Sequence, residues 1–574
     1  MSDQKDPATN EAITTQARKL ALENAVKYHG KASFGAVIGK LLHNNPSLRE
    51  NLNTIKPTVQ RIIDDVNKLT SAQQQQELHR INPEFEKEQA EKKENNRAAR
   101  KELPPLPEAK RGNVTTRMAP EPSKYPHIGH AMSFLINYLY AKKYEGTCIL
   151  RFDDTNPEKE AQEYVDAITT DVLDYLNITP AKTVFVSDAM ETYYAYADKL
   201  IKTGNAYTST QTPQEMSADR RAMRDNPERE KPITTIQEEW NRMKAGDYPD
   251  GTITLRLKIS MQHKNAVMRD PVIFRICSTP HYRQGTRYKA WPLYDFACAI
   301  QEHIQGVTHV LRSSEFDTRI ELQNHIRSLL GLNNPYTKQY ARFNITGALT
   351  TGREIRERIE SGEYTGWDDP RLVTLRALRR RGITKEALFE LATIIGMSRT
   401  PSSIGFETIA TINRRILDNT AKRYFFIKKP TRITINGAPR TTITLKNHPT
   451  KDLGTRTLTV SERLLIEEAD APLLNQNKLV RLIDFCNIKN KTYHSDAYDA
   501  FKGKGTSIIH YLPDDPSQLI NTTIIMPDAT SITGVAERNA TALNEGDIIQ
   551  FIRFGFCRLD KKEPNHLTFY YAHN

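Results

Sequence analysis

The chain has 574 residues, 38% of them hydrophobic and 26% charged, which is too much for one core and predicts about three to five domains. Lysine and arginine number 81 against 69 aspartates and glutamates, a net charge of +12 that favours a polyanionic partner through phosphate attraction and counterion release. The five cysteines (Cys148, Cys277, Cys298, Cys486, Cys557) contain no C-x-x-C pair, the first residues are too polar for a signal peptide, and no apolar run nears the ~18 residues of a membrane helix. A thiolate zinc site, a disulfide framework and a membrane role are therefore not expected, and a cytoplasmic protein is.

Residues 1–83 form a helical N-terminal region: Ala17, Leu20, Ala21 and Ala25 recur at helical spacing, as do Ile55, Val59, Ile62, Ile63, Val66 and Leu69. Gly35-Ala36-Val37-Ile38-Gly39-Lys40 resembles a phosphate loop, but it is one residue short, and Leu41 stands where a hydroxyl should be. A tight helix–helix contact is the better expectation there. Residues 84–112, with the charge run Glu86–Lys93 and then Pro104, Pro105 and Pro107, are expected to be a solvated linker.

From 113 to 204 the pattern turns to strand, loop and helix. A strand at Asn113–Met118, a helix at Ala131–Lys143 and a strand at Thr147–Phe152 make a βαβ unit of a parallel sheet, whose ligands sit at the carboxyl ends of the strands. Residues 205–290, with strands at Thr252–Ile259 and Val272–Ile276, look like an insertion, and the parallel-sheet pattern returns at 291–350. A helical connector follows at 351–420, then repeated short strands at 421–574 that predict β-barrels. The fold class is thus multidomain α/β plus all-β.

Pro126-His127-Ile128-Gly129-His130 falls between the first strand and its helix. Two imidazoles with a glycine between them at a helix N-terminus suit phosphate, because backbone N–H groups and the helix dipole favour an anion there. A metal pair is the rival, without a third ligand nearby, and a bland loop pair remains open on these five residues alone.

Four further blocks decide more. Arg117–Tyr125 precedes the histidines, and Arg151-Phe152-Asp153-Asp154-Thr155-Asn156-Pro157 follows them. Trp291–Ala297 leads into Gly306–Glu315, and Gly366-Trp367-Asp368-Asp369-Pro370-Arg371-Leu372 stands before the connector. In this order the blocks resemble the glutamyl and glutaminyl class I aminoacyl-tRNA synthetases, across essentially the whole chain. The helical N-terminal region is similar to that of archaeal glutamyl enzymes.

The resemblance implies a Rossmann-like catalytic domain split by an acceptor-binding insertion, with anticodon-binding barrels at the end. It implies activation of L-glutamate by ATP with Mg²⁺, usually requiring bound tRNA, and transfer to tRNA(Glu), with tRNA(Gln) left open. A monomer without zinc is expected, since Ala206–Gln211 of the insertion holds no cysteine. By position in the motifs, Glu121, His127, Gly129, His130 and Arg353 match ATP-binding residues, with His127, His130 and Arg353 catalytic. Arg117, Ala119, Asp153, Tyr294 and Arg312 match the amino-acid pocket. Asp153 suits the α-ammonium, Arg117 a forked contact to the γ-carboxylate, and Arg312 is the residue that favours glutamate over neutral glutamine.

Leu349-Thr350-Thr351-Gly352-Arg353 departs from the second signature of the class, with glycine in place of a serine and Arg353 in place of a lysine. A slower loop is one reading, and a tRNA-binding paralogue without charging activity the other; a glutaminyl enzyme is the third alternative. For tRNA, the cluster Arg376, Arg379, Arg380 and Arg381 suits phosphates, strands with Leu255–Ile259 and Met268–Val272 suit the acceptor end, and the aromatics of Asp547–Phe556 suit unpaired bases or core packing.

Overall fold

A computed structural model describes residues 7–28, 30–49, 52–85, 102–399 and 402–574. The chain divides into two compact units, 1–102 and 103–574. The charge run at Glu86–Lys93 lies outside the described residues.

The first unit contains helices α1 (Pro7–Lys27), α2 (Phe34–Asn44), α3 (Leu52–Lys68) and α4 (Ser71–Ile81). The expected stripe of α3, from Ile55 to Val66, is buried with Leu20, Ala21 and Ala25 of α1. Each leucine, isoleucine or valine among them contributes about 1.5–3 kcal/mol by leaving water. Thr70 and Gln73 cap α4 reciprocally, side chain to backbone, in a capping box worth about 1 kcal/mol. The tight contact expected at Gly35 and Gly39 is not formed: a Cβ at either would meet nothing within 4 Å. Val37 and Leu41 carry the buried face of α2, and the glycines lie on its exposed side.

The second unit opens with Leu103 and Leu106 buried against Ile136, Tyr140 and Leu311. Tyr140 donates its hydroxyl to the Pro104 carbonyl at 3.1 Å. The proline-rich end of the expected linker is therefore packed rather than solvated. The sheet follows: β1 (Thr115–Met118), α5 (Ile128–Lys143), β2 (Thr147–Phe152) and β3 (Thr183–Phe185), with β1 parallel to β2 and β2 to β3. Parallel neighbours need a crossover, and α5 supplies it.

Strands β4 (Ala206–Ser209), β5 (Thr254–Leu257), β6 (Val272–Ile276) and β7 (Ala290–Pro292) form a separate antiparallel sheet in that order. That sheet extends to Pro292, because Trp291 is fully buried in the same core as Phe274. The parallel pattern resumes with α6 (Tyr294–Ile304), β8 (His309–Ser313), α7 (Arg319–Leu330) and β9 (Tyr336–Tyr340). β8 pairs with β9, and the Thr308 N–H reaches the Thr115 carbonyl at 3.0 Å, which sets β8 beside β1. The strand order is thus β9-β8-β1-β2-β3. Chain direction across the sheet reverses at β1, and such a switch point opens a crevice at the carboxyl ends of the strands.

Then come β10 (Phe343–Ile345), α8 (Gly352–Glu360), α9 (Leu375–Arg380), α10 (Lys385–Ile395), β11 (Ser402–Ile404) and α11 (Phe406–Leu417). The apolar faces of β10, α9, α10 and α11 join those of α5 and β2 in one core, while Ile355 of α8 packs with Tyr364, Leu372 and Ala377 in a smaller one. Beyond residue 421 the chain is nearly all β. A seven-stranded sheet has the order β12-β16-β17-β18-β14-β15-β13, where β12 is Arg423–Tyr424, β13 Phe426–Lys428, β14 Leu519–Ile525, β15 Ser531–Glu537, β16 Ile548–Phe551, β17 Gly555–Glu563 and β18 His566–His573. Between β13 and β14 the chain builds a second β body, whose core runs from Ile433 to Leu512 and also takes in Phe425 and Ile427.

Candidate active site

A cavity of about 750 Å³ occupies the crevice between β1 and β8. Its lining includes Arg117, Ala119, Glu121, His127, Gly129, His130, Asp153, Tyr294 and Arg312, so nine of the residues singled out from the sequence meet there. Arg353 is not among them.

One end of the cavity is built on the start of α5. His127 is its N-cap: the Nδ1 of His127 accepts the Gly129 N–H at 3.0 Å, and the Nδ1 of His130 accepts the His127 N–H at 3.1 Å. Each neutral ring therefore carries its proton on Nε2, leaving an N–H donor for a ligand. Burial, and then the nearby cations Lys124 and Arg342, push the His127 imidazole down to about 3; burial pushes His130 well below its ordinary value. A Cβ on Gly129 would lie 2.8 Å from Cε1 of His127. Glycine is needed here to seat the first imidazole, in addition to any close approach of ligand.

At the other end, around Arg117 and Asp153, buried charges are paired with one another. The Nε–Nη2 edge of Arg117 faces Glu302 Oε1 at 3.3 and 3.2 Å, so the forked contact expected of Arg117 toward a substrate carboxylate is already taken. Arg327 Nη2 holds the other oxygen of Glu302. Burial alone would raise the Glu302 carboxyl, but Arg117, Arg151 and Arg327 outweigh it and hold it below the usual range. Asp153 is fixed by Arg151, whose Nε and Nη2 donate at 2.7 and 3.2 Å. Asp154, next in sequence, is fully buried and accepts from the Ser187 N–H and hydroxyl and from the Tyr282 hydroxyl. One loop thus offers one carboxylate to the cavity and anchors itself with the next.

Arg312 differs from its neighbours. Only 5% exposed, it reaches the Tyr294 hydroxyl at 3.4 Å and stands 5.3 Å from the Phe316 ring, and its Nε has no hydrogen-bond partner. A buried guanidinium without an anion is costly, so this corner is shaped for a carboxylate.

Arg353 lies on the first turn of α8, 87% exposed and paired with Glu357 at 2.8 Å. Helix α8 is clasped to the loop before His127 through Arg356, which donates to the Tyr164 hydroxyl at 3.0 Å and the Ser123 carbonyl at 3.4 Å. In this arrangement Arg353 points away from the cavity. Lys124, Arg342 and Arg319, which line the cavity, and Glu302, which braces it, do not stand out in the sequence. Lys124 and Arg342 stand close to signature residues, and that proximity was the available signal.

The proposed tRNA contacts separate. Arg379 is exposed and Arg376 half-buried over the Tyr125 ring, whereas Arg380 is held by Asp560 and Asp368, with oxygens at 2.8 and 2.9 Å. Arg381 is buried and bonds to the Ala572 and Pro370 carbonyls. The four arginines are therefore not one basic face, because two of them fasten α9 to neighbouring segments. In the insertion, Arg256 and Arg269 donate inward, to the Asp270 and His263 carbonyls. Phe551 and Phe556 are core residues, Phe554 is half-buried against the core that holds Phe551, and Arg553 is forked onto Asp470.

Residues 113–419 match the family described as tRNA synthetases class I (E and Q), catalytic domain, and residues 421–505 and 496–560 match two anti-codon binding domains of the same class. The glutamate–tRNA ligases of Pyrococcus furiosus and Pyrococcus abyssi are 37% and 38% identical, each over 97% of this chain and 99% of their own length. The solved structure of a glutamate tRNA ligase from Elizabethkingia meningosepticum in complex with its amino acid aligns with TM-score 0.38 at 18% identity, over 53% of this chain and 70% of that one. The chain belongs to the class I (E and Q) tRNA synthetase family.

Proposed function

We infer that the protein is a glutamate–tRNA ligase, which activates L-glutamate with MgATP and passes it to the 3′ end of tRNA(Glu). The full-length relatives support the reaction class. The choice of glutamate rests on Arg312, the buried guanidinium whose free Nε waits for an anion. On this reading the γ-carboxylate meets Arg312 and the Tyr294 hydroxyl, and the α-ammonium meets Asp153. Arg117, Arg151 and Glu302 hold that geometry from behind.

In the first step an α-carboxylate oxygen of glutamate attacks the α-phosphorus of ATP, and pyrophosphate leaves. The Nε2–H donors of His127 and His130 are aimed at phosphate oxygens, where charge develops, and Gly129 and Glu121 line the nucleotide's side of the cavity. In the second step a ribose hydroxyl of the terminal adenosine attacks the mixed anhydride, and AMP leaves. Arg376 and Arg379 are the members of the α9 cluster free to meet tRNA phosphates. The protein works in the cytoplasm as a monomer on this reading.

Charging purified tRNA(Glu) and tRNA(Gln) with each amino acid tests it. Glutamate charging of tRNA(Glu) is expected, and glutamate on tRNA(Gln) would extend the substrate range. Preference for glutamine would overturn the role of Arg312. Absence of pyrophosphate exchange with either amino acid, tRNA present, would leave a tRNA-binding paralogue.

A further inference from the structure

The loop expected to bring a cation to the ATP phosphates does not do so here: Gly352 has no side chain, and Arg353 faces solvent with Glu357. The space beside Gly352 is nevertheless filled. A Cβ at position 352 would lie 3.0 Å from Cδ and 3.2 Å from Cβ of Lys124. The Lys124 side chain thus runs past the glycine, and Lys124 lines the cavity.

Its surroundings are those of a phosphate site. His127 and His130 both sense the charge of Lys124, and those imidazoles cap the start of α5. Arg342 stands close enough to Lys124 to repel it, and Glu121 and Glu315 partly compensate. Arg342 is itself loosely paired with Glu315 at 3.8 Å, while the Lys124 ammonium makes no hydrogen bond or ion pair among the described residues. Burial and Arg342 together press the Lys124 pKa down, as expected of an ammonium set in a partly desolvated wall before its anion arrives.

We propose that Lys124 is a catalytic residue of adenylate formation, contacting the departing pyrophosphate in the role that the Leu349–Arg353 loop leaves unfilled, and that Gly352 is its steric complement. An oxygen of the glutamate α-carboxylate forms a bond to the α-phosphorus. The bond from that phosphorus to the oxygen bridging to the β-phosphorus breaks, and its electron pair leaves on pyrophosphate. The Lys124 ammonium neutralises that growing charge without transferring a proton. A point charge on a flexible stem can follow the leaving group, which a forked guanidinium at the solvent edge cannot. This inference rests on the glutamate-activation reading above.

The test is glutamate-dependent ATP–pyrophosphate exchange by the full-length protein with tRNA present. Lys124→Met is expected to lower kcat on the order of 10²-fold with little change in KM for glutamate, as for loss of one preorganised charge-stabilising donor. Lys124→Arg should recover part of the rate, and Arg353→Ala should stay near wild type. Gly352→Ala places a methyl against Lys124 Cδ and should slow wild-type exchange. In a Lys124→Met background it should change nothing, a non-additivity that a folding defect would not produce. Should Lys124→Met fail to fold by circular dichroism, Lys124→Arg and Gly352→Ala carry the test on their own. Full activity of Lys124→Met, a larger loss in Arg353→Ala, or additive effects of the two Lys124 and Gly352 substitutions would overturn the proposal. A wild-type protein that shows no exchange would instead overturn the functional reading beneath it.

Discussion

On the proposed assignment of an amino-acid end and a phosphate end, the two ends of the cavity handle charge in opposite ways. At the amino-acid end, guanidiniums are matched in advance by protein carboxylates: Arg117 and Arg327 share Glu302, and Arg151 grips Asp153. Among the described residues Arg312 has no carboxylate partner, and its Nε, like Arg151 Nη1, makes no hydrogen bond. At the phosphate end the imidazoles are held neutral, and the Lys124 ammonium stands without a carboxylate in contact. The difference follows from the ligands. Glutamate brings one side-chain charge that must be told apart from an amide, which calls for a rigid setting with a single vacancy for an anion. ATP brings several charges, one of which moves during reaction, and donors not tied to protein anions can follow it.

The sharpest way to break this contrast is at Glu302. Glu302→Ala strands Arg117 and Arg327 in the interior and is expected to cost about 3–5 kcal/mol of stability in denaturant unfolding. A loss below about 1 kcal/mol would mean that the arginines are not braced by this carboxylate.

Next in size is Arg312→Ala, expected to lower kcat/KM for glutamate by about 10²-fold, since a hydrogen bond to a charged group is worth about 1.5–3 kcal/mol, while KM for ATP stays put. Wild-type glutamate charging by that variant would remove Arg312 from specificity.

The neutral histidines give a pH signature. With His127 depressed to about 3, the unfolded chain binds a proton that the folded chain refuses. Stability is therefore complete above the ordinary histidine value and falls as pH drops from about 6.5 toward 3, with His127 alone accounting for on the order of 2 kcal/mol at pH ~5. His127→Gln should flatten that fall, and nitrogen NMR should find the wild-type proton on Nε2 at pH ~6. A charged His127 at that pH would sink the donor assignment.

The smallest effects separate neighbours on α9. Arg380→Ala should lower stability by about 1 kcal/mol through loss of its Asp368 and Asp560 partners. Arg379→Ala should leave melting unchanged and reduce the salt dependence of tRNA binding by about one phosphate contact. The reverse pattern would exchange their roles.

What could be read in the residues themselves was local. Strand periodicity at Thr147–Phe152 and the apolar stripe of α3 follow from spacing alone, and the His127–His130 turn declares itself as a helix start. Charged partners were not legible, because they come from distant segments: Arg117 meets Glu302 and Arg380 meets Asp560 only after folding. An arginine looks alike in sequence whether it faces a phosphate or an internal carboxylate, which is why Arg353 and Arg380 took unforeseen positions. Lys124 is inconspicuous in the sequence for a related reason. Its meaning depends on a missing side chain at Gly352, more than two hundred residues on.

The strand order of the C-terminal sheet also bears on biosynthesis. β12 lies against β16, β13 against β15, and β14 against β18, the last strand of the chain. β12 and β13 must therefore wait, edges open, until residues 531–551 are made, and β14 completes its pairing only when residues 566–570 follow. Meanwhile the second β body, whose strands all lie between β13 and β14, can close first. A pause in translation after β14 would lengthen the exposure of those unpaired edges, the condition under which intermediates aggregate.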